Sequence, residues 1–183
     1  MNPTLALSQA RPRGWTLTEL LIVLALGALL LSMALPSFSS FLEHRRIEGL
    51  SAQLISDLQY LRSSAVARQT RLRLRIQSHA GGSSCYLLHS GASDACGCDR
   101  SGQVQCQPDA ELLRQHVLPP DSALQLSATS ASLLVDPRLG TFTPAGSIDV
   151  HNRSGAQLRH VINVLGRVRL CSPSGSWTGA PAC

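Results

Sequence analysis

Three arginines near the carboxyl end of the chain have the type and spacing of a phosphate-binding site. Arg167 and Arg169 lie two residues apart in the segment Gly166-Arg-Val-Arg169, and Arg159 precedes them on a separate stretch. Alternate side chains of a β-strand point to the same face, so Arg167 and Arg169 are expected to share one surface. Guanidinium groups bind phosphate oxygens through charge-assisted, often paired hydrogen bonds. The expected chemistry is therefore binding of phosphate groups.

A tight hairpin would bring the third arginine to the same surface. We expect Val164-Leu165-Gly166 to form a three-residue loop with Gly166 in the left-handed conformation that such loops favour. The predicted pairs on one largely apolar side are Ile162 with Val168 and His160 with Leu170. The predicted pairs on the other side are Asn163 with Arg167, Val161 with Arg169, and Arg159 with Cys171.

A second unusual feature is one acidic residue inside an apolar run. Glu19 is the only charged residue between Arg13 and Glu43, and the apolar run continues from Leu20 to Leu35. A carboxylate at membrane depth costs about 2.5–3.5 kcal/mol on insertion scales, so such a residue needs a partner. The basic residues that precede Gly14 predict that the short amino-terminal side stays cytoplasmic.

The order of a basic leader, Gly14, Trp15 and Glu19 resembles the class III signal of type IV pilins and type II secretion pseudopilins. The resemblance implies that a prepilin peptidase cuts after Gly14 and methylates the new amino terminus at Trp15, where the family usually has Phe. It also implies that Glu19 meets the terminal amine of a neighbouring subunit during filament assembly. An ordinary secretory signal would instead place its cleavage site after the apolar run.

The carboxyl half resembles the FimT/GspH-type minor pilins in the segments Phe142-Thr-Pro-Ala-Gly146 and Gly166-Arg-Val-Arg169. The Gly-Arg-x-Arg element resembles the one associated with DNA binding in FimT-like pilins of naturally competent bacteria. The resemblance implies non-specific binding of double-stranded DNA, through its phosphate backbone, for natural transformation. Arg167 and Arg169 would carry this binding, Gly166 and Arg159 would assist, and Trp177 is a candidate for an auxiliary contact.

The alternative function is purely structural. The chain would then be a tip or priming minor pilin, or the GspH-type pseudopilin of a type II secretion system, with its arginines idle or used in subunit packing. Arginines that alternate on a strand are more often a solvated face than a ligand site, and this is the favoured interpretation of the similar stripe Arg71, Arg73 and Arg75.

The cysteines predict disulfides in an oxidising compartment. All six follow the apolar run, at positions Cys85, Cys96, Cys98, Cys106, Cys171 and Cys183. A Cys171–Cys183 bond would close a short loop that is worth about 3 kcal/mol in the chain-entropy model. The other four have two cross-connections that the sequence does not separate. A zinc site is the less favoured alternative for these four, because Cys96-Gly-Cys98 is closer than the usual ligand spacing.

Hydrophobic periodicity predicts one long helix followed by short strands. The apolar run leads into Pro36, where we expect a kink or loosening, and one face of the following helix carries Ile47, Leu50, Leu54, Leu58, Leu61 and Ala65. The helix should run from Trp15 to near Arg68. Alternation in residues 71–76 predicts a half-buried strand with Leu72, Leu74 and Ile76 inward. The further strand candidates are 86–89, 116–118, 124–127, 133–135, 147–150, 159–163 and 167–171, and residues 91–108 are expected to be a loop.

This pattern predicts an α+β fold of the type IV pilin kind, with the helix packed on an antiparallel sheet. The expected divisions are a leader (1–14), a transmembrane or filament-core helix (15–36), its amphipathic half (37–69) and a β-rich domain (70–183). The expected partners are other pilin subunits, prepilin peptidase, the inner membrane and double-stranded DNA. The chain would be a single-pass inner-membrane protein with a periplasmic domain, and later part of a pilus at the cell surface.

The composition excludes little but contains no sign of catalysis. The chain has 183 residues and a net charge of +5, a mild basic excess that is not by itself a nucleic-acid signature. The six histidines show no ligand spacing, and no Gly-x-Ser-x-Gly or His-Glu-x-x-His element occurs. We therefore expect no enzyme, no cofactor and no metal.

Overall fold

The computed structural model of the chain describes residues 14, 16–175, 177 and 179–183, without the side chains of residues 33–37, 39 and 40. The predicted cleavage at Gly14 therefore lies at the edge of the described residues, and Trp15, the residue predicted to be methylated, lies outside them. The chain divides into two compact units, one ending at Phe41 and the other spanning Leu42–Cys183.

The first unit contains the beginning of a single long helix, α1 (Leu17–Arg68), which is helical through Pro36. Thr16 caps this helix, because its Oγ1 accepts a hydrogen bond of 3.2 Å from the backbone N–H of Glu19. Thr16 and Glu19 thus have the spacing of a capping box. Within the described residues, no helix has a stretch long and apolar enough to cross a membrane.

The second unit is organised around the other half of α1. The six helix residues predicted to form the apolar face are all buried, from Ile47 to Ala65, which confirms the predicted periodicity. The helix ends with a left-handed residue, Gln69 (φ 52°). The N–H of Gln69 donates to the carbonyl oxygen of Val66, and the N–H of Thr70 donates to that of Ala65, so two of the last carbonyl groups of the helix are satisfied.

Two antiparallel sheets and a small hairpin follow the helix. The first sheet has the order β5-β2-β1-β7-β8, the second β11-β10-β9-β6, and β3 pairs with β4. The strands are β1 (Leu72–Ser78), β2 (Ser84–Ser90), β3 (Cys96–Cys98), β4 (Val104–Cys106), β5 (Leu112–Leu118), β6 (Leu124–Ala128), β7 (Ser132–Val135), β8 (Phe142–Thr143), β9 (Gly146–Asn152), β10 (Gln157–Ile162) and β11 (Val168–Cys171). Inward side chains of both sheets join the apolar face of α1 in one core. The predicted α+β fold class is confirmed.

Each predicted strand is present, but three short strands were not predicted, namely β3, β4 and β8. The predicted loop at 91–108 is wrong for β3 and β4, which form a short hairpin. Two disulfides hold this hairpin, Cys85–Cys98 to strand β2 and Cys96–Cys106 across its own strands. Strands of three residues carry too little periodic signal to be recognised, and the cysteines alone suggested a pinned loop.

The arginine stripe on β1 has a structural role. Arg73 Nε donates to the carbonyl oxygen of Gly91 at 3.2 Å, and Arg75 Nη1 donates to that of Ser93 at 2.6 Å. These two arginines therefore hold the loop after β2, and the interpretation of them as a simple solvated face is wrong.

A buried carboxylate joins α1 to the first sheet. Asp57 is 3% exposed and accepts hydrogen bonds from the Tyr86 hydroxyl (2.7 Å), Arg114 Nη1 (2.6 Å) and Gln53 Nε2 (3.1 Å). The guanidinium of Arg114 also stacks on the ring of Tyr60, 3.7 Å from its centre. Burial alone would raise the pKa of Asp57, but the three donors outweigh it and hold that pKa below its ordinary value.

We predict that Asp57→Ala destabilises the fold by about 1–3 kcal/mol, because it leaves the buried Tyr86 hydroxyl without an acceptor. Urea denaturation of the purified chain measures this loss. In a Tyr86→Phe background the same substitution should cost less, since that hydroxyl is already absent. Equal losses in the two backgrounds would show that the Asp57–Tyr86 hydrogen bond contributes nothing.

Candidate nucleic-acid interface

The β10–β11 hairpin has the predicted register. Its Cα partners are Arg159 with Cys171, His160 with Leu170, Val161 with Arg169, and Ile162 with Val168. His160 and Ile162 are buried, whereas Arg169 is exposed on the opposite side. The two faces of the hairpin are therefore separated as the sequence predicted.

Asn163 and Gly166 fix the loop of this hairpin. The N–H of Gly166 donates to the carbonyl of Asn163 at 2.9 Å, and the side-chain oxygen of Asn163 accepts from the N–H of Arg167 at 2.8 Å. Gly166 has a φ of 76° and lies against the ring of Phe142, where an added Cβ would be 3.0 Å from Cε2. The prediction of a left-handed glycine is confirmed, and the close approach to Phe142 is a second reason for glycine.

The tip of the hairpin is tied to the first sheet and is apolar. The N–H of Phe142 donates to the carbonyl oxygen of Val164 at 2.8 Å. The side chains of Val164 and Leu165 are nevertheless 51% and 64% exposed, and that of Leu139 in the turn before β8 is 74% exposed. This end of the unit thus presents aliphatic side chains beside Arg167.

A disulfide closes the segment that follows β11. The predicted Cys171–Cys183 bond is present, and the N–H of Ser172 donates to the carbonyl of Pro181 inside the closed loop. Trp177 in this loop is only 7% exposed and belongs to the core. Its ring centre lies 4.6 Å from that of His44 on α1. The suggestion that Trp177 contacts DNA is therefore wrong, because the core and His44 cover it.

Arg159 already has an anionic partner. Its Nε and Nη2 donate to the two carboxylate oxygens of Asp149 at 2.7 and 2.9 Å, and the two residues are Cα partners on β10 and β9. These hydrogen bonds and the charge of Asp149 raise the pKa of Arg159. Because the carboxylate of Asp149 neutralises the guanidinium of Arg159, Arg159 attracts a phosphate less strongly than the sequence suggested.

Arg167 and Arg169 differ from Arg159 in this respect. Both are exposed, and among the described residues neither guanidinium makes a hydrogen bond or an ion pair. The ion pairs elsewhere in the described chain join Arg45 to Glu48, Arg68 to Glu111, and Arg114 to Asp57. The two arginines of the Gly-Arg-x-Arg element therefore offer uncompensated charge on one face of a tethered hairpin.

The sequence analysis did not identify Arg62 of α1 as part of this region. Arg62 is exposed, and its Nη1 would lie 3.3 Å from a Cβ added to Gly166. Arg62 and Arg167 both line a cleft of about 670 Å³ between α1 and the hairpin. The helical pattern places Arg62 beside buried Leu61, but nothing in it indicates which strand that side of the helix approaches.

Histidines and aromatic rings of the second unit serve packing. His89 and His160 are fully buried, and His160 Nδ1 lies 3.2 Å from the carbonyl oxygen of Ile148. Burial lowers the pKa of both histidines. Tyr86, Phe142 and Trp177 are buried as well, so the described aromatic residues outside α1 offer no stacking surface for bases.

Two protein-family models match the chain, one in its amino-terminal segment and one over most of the second unit. Residues 50–166 match the model of the family described as Type II transport protein GspH. Residues 10–35 match the prokaryotic N-terminal methylation motif. No curated protein matches the chain.

Solved structures that resemble the chain include a minor pseudopilin and a type IV minor pilin. The minor pseudopilin EpsH from the type 2 secretion system of Vibrio cholerae has 16% identity and a TM-score of 0.48, over 69% of this chain and 97% of that chain. The type IV minor pilin FimU of Pseudomonas aeruginosa PAO1 has 19% identity and a TM-score of 0.49, over 76% of this chain and 98% of that chain. At these values neither likeness bears on function.

We predict that Gly166→Ala destabilises the fold by about 2–3 kcal/mol. A left-handed alanine costs about 1 kcal/mol, and its Cβ would crowd the buried ring of Phe142 at 3.0 Å. Gly155→Ala is the matched control, because Gly155 also has a positive φ (90°) but has no atom within 4 Å of the added Cβ. Thermal unfolding compares the two variants, and equal losses would show that contact with Phe142 is unimportant.

We also predict that stability falls as the pH drops below about 6.5, the ordinary pKa of histidine. His89 and His160 have lowered pKa values in the fold, so the unfolded chain takes up protons first. Their contribution is intact above pH 6.5 and is lost as the pH falls towards their folded-state pKa values, by about 1.4 kcal/mol per pH unit for each extra proton. Urea titrations between pH 7.5 and 5 measure the slope, which His160→Gln should reduce; an unchanged slope in that variant would contradict the assignment to His160.

Proposed function

Because the family model matches residues 50–166, which is more than half of the chain, the chain belongs to the GspH family, and we propose that the protein is a minor pilin that binds DNA through the β10–β11 hairpin. The observation that carries this proposal is the contrast among its arginines. Arg167 and Arg169 have no carboxylate partner among the described residues, whereas Arg159 on the same face is paired with Asp149. The proposed role is binding and involves no catalysis.

The amino-terminal segment supports the filament part of the proposal. The methylation motif covers residues 10–35, and the large apolar side chains between Leu17 and Leu31 are 51–75% exposed. Such a surface is unfavourable in water. We place it first in the inner membrane, as a single-pass anchor with the second unit in the periplasm, and after cleavage at Gly14 in the core of a pilus. Glu19 would there meet the amino group of a neighbouring subunit.

The geometry of the hairpin suits the DNA backbone. Arg167 and Arg169 are two residues apart along one strand edge, so their Cα atoms are about 6.6 Å apart, and each guanidinium can contact a different phosphate. The tip of the hairpin is tethered through Phe142, and the end of β11 is cross-linked to the carboxyl terminus by Cys171–Cys183, so little conformational entropy is lost on binding. Because Tyr86, Phe142 and Trp177 are buried, binding should be independent of base sequence and strongly dependent on salt. The biological role would be capture of extracellular DNA for natural transformation.

A structural subunit without DNA binding is the second candidate. The observation in its favour is the exposed aliphatic group of Leu139, Val164 and Leu165, since contiguous exposed apolar residues often mark a protein interface. In a tip minor pilin or in a pseudopilin of a type II secretion system, these residues and their neighbouring arginines would contact another subunit.

The deciding experiment measures fluorescence anisotropy of a random-sequence DNA duplex with the purified full chain in non-ionic detergent. We expect weak binding at low salt, and the double variant Arg167→Ala/Arg169→Ala should weaken it more than tenfold. Loss of two phosphate contacts should also flatten the slope of log K against log salt concentration by about 2.

The control variant is Arg153→Ala/Arg100→Ala, which removes two exposed arginines from other turns and changes the net charge equally. It should retain most of the affinity, which separates a local site from general attraction. Absence of binding by the unsubstituted chain at low salt would reject the DNA proposal and favour the structural subunit.

A further inference from the structure

The cleft between α1 and the hairpin combines an aliphatic floor with two arginines. Ile55, Leu58, Val66 and Val168 contribute apolar surface, and Arg62 and Arg167 contribute the charges. Charges interact more strongly beside a surface that excludes water than in bulk solvent. The cleft is therefore a favourable place for an anionic group.

The cleft lacks a charge that would balance its arginines. Among the described residues that line it, none is acidic, and the guanidinium of Arg62, like that of Arg167, has no hydrogen bond or ion pair within the described part of the chain. Two positive groups at one cleft repel each other. An anion held between them would remove this repulsion.

Arg62 occupies space that is free because Gly140 and Gly166 have no side chains. A Cβ added to Gly140 (φ 62°) would lie 3.0 Å from Arg62 Nε, and one added to Gly166 would lie 3.3 Å from Arg62 Nη1. The guanidinium of Arg62 therefore lies over the backbone of the two loops at the hairpin end of the unit. Arg167 follows Gly166 directly, and Arg62 and Arg167 both line the cleft.

We propose that Arg62 and Arg167 together bind one phosphate group of a DNA strand, so that the DNA site extends from Arg169 past the hairpin tip onto α1. This inference rests on the proposed function and adds a third DNA-contacting residue that lies more than a hundred positions earlier in the chain. Arg167 would be shared between its neighbours, with Arg169 on the strand side and Arg62 on the helix side. A backbone phosphate is the occupant that this arrangement favours, because each guanidinium offers a fork of donors that fits its oxygens.

The test compares Arg62→Ala, Arg62→Lys and Arg153→Ala in the full chain by duplex binding between about 50 and 200 mM salt. We expect Arg62→Ala to weaken binding roughly fivefold to tenfold at about 0.1 M salt and to flatten the salt slope by about 1. Arg62→Lys keeps the charge and should keep the slope. Arg153→Ala loses the same charge far from the hairpin tip and should change little.

The outcomes separate this inference from the proposal on which it rests. If Arg167→Ala/Arg169→Ala abolishes binding while Arg62→Ala behaves like Arg153→Ala, the role of Arg62 is rejected and the DNA function stands. If the unsubstituted chain does not bind DNA, both are rejected. If Arg62→Ala leaves DNA binding intact but prevents assembly with other filament subunits, the cleft binds a carboxylate of a neighbouring subunit and the inference is overturned. The melting temperature of each variant is measured to check that the variant is folded.

Discussion

The second unit depends on one constraint, the burial of a single apolar stripe of α1 against two separate sheets. Ile47, Leu54 and Leu61 are fully buried on this stripe, and both sheets contribute side chains to the same core. Strand β2 of the first sheet is buried on both faces, because the β3–β4 hairpin covers the side that faces away from α1. Because both sheets pack on α1, the helix fixes the position of the first sheet relative to the second.

The candidate site is a product of that arrangement. Its parts come from β11, from the turn before β8 in the other sheet, and from α1, and they meet where Phe142 contacts Gly166. Polar groups inside the unit are mostly paired, as in the cluster around Asp57. Arg62, Arg167 and Arg169 at the hairpin end are instead exposed and make no side-chain hydrogen bond or ion pair within the described part of the chain.

The local sequence pattern predicted the features of this region that depend on neighbouring residues, but not those that depend on contacts between distant segments. The register of the β10–β11 hairpin was predictable because a three-residue loop with a left-handed glycine permits few pairings. The pairing of Arg159 with Asp149 was not predictable, because it depends on the register between β9 and β10. The burial of Trp177 was not predictable either, because it depends on the path of the loop that the Cys171–Cys183 disulfide closes. Arg62 is the clearest limit, since its proximity to Arg167 arises from packing between a helix and a loop that are distant in sequence.

The closed loop after β11 also has a mechanical meaning. β11 is the edge strand of its sheet, and an edge strand pulled from one end separates from its neighbour one hydrogen-bonded pair at a time. Here the far end of β11 is covalently joined to Cys183, and the ring so formed contains Trp177, which is packed in the core. A force applied at Arg167 or Arg169 could therefore break the pairing of β11 with β10 and would still meet a covalent anchor at Cys171.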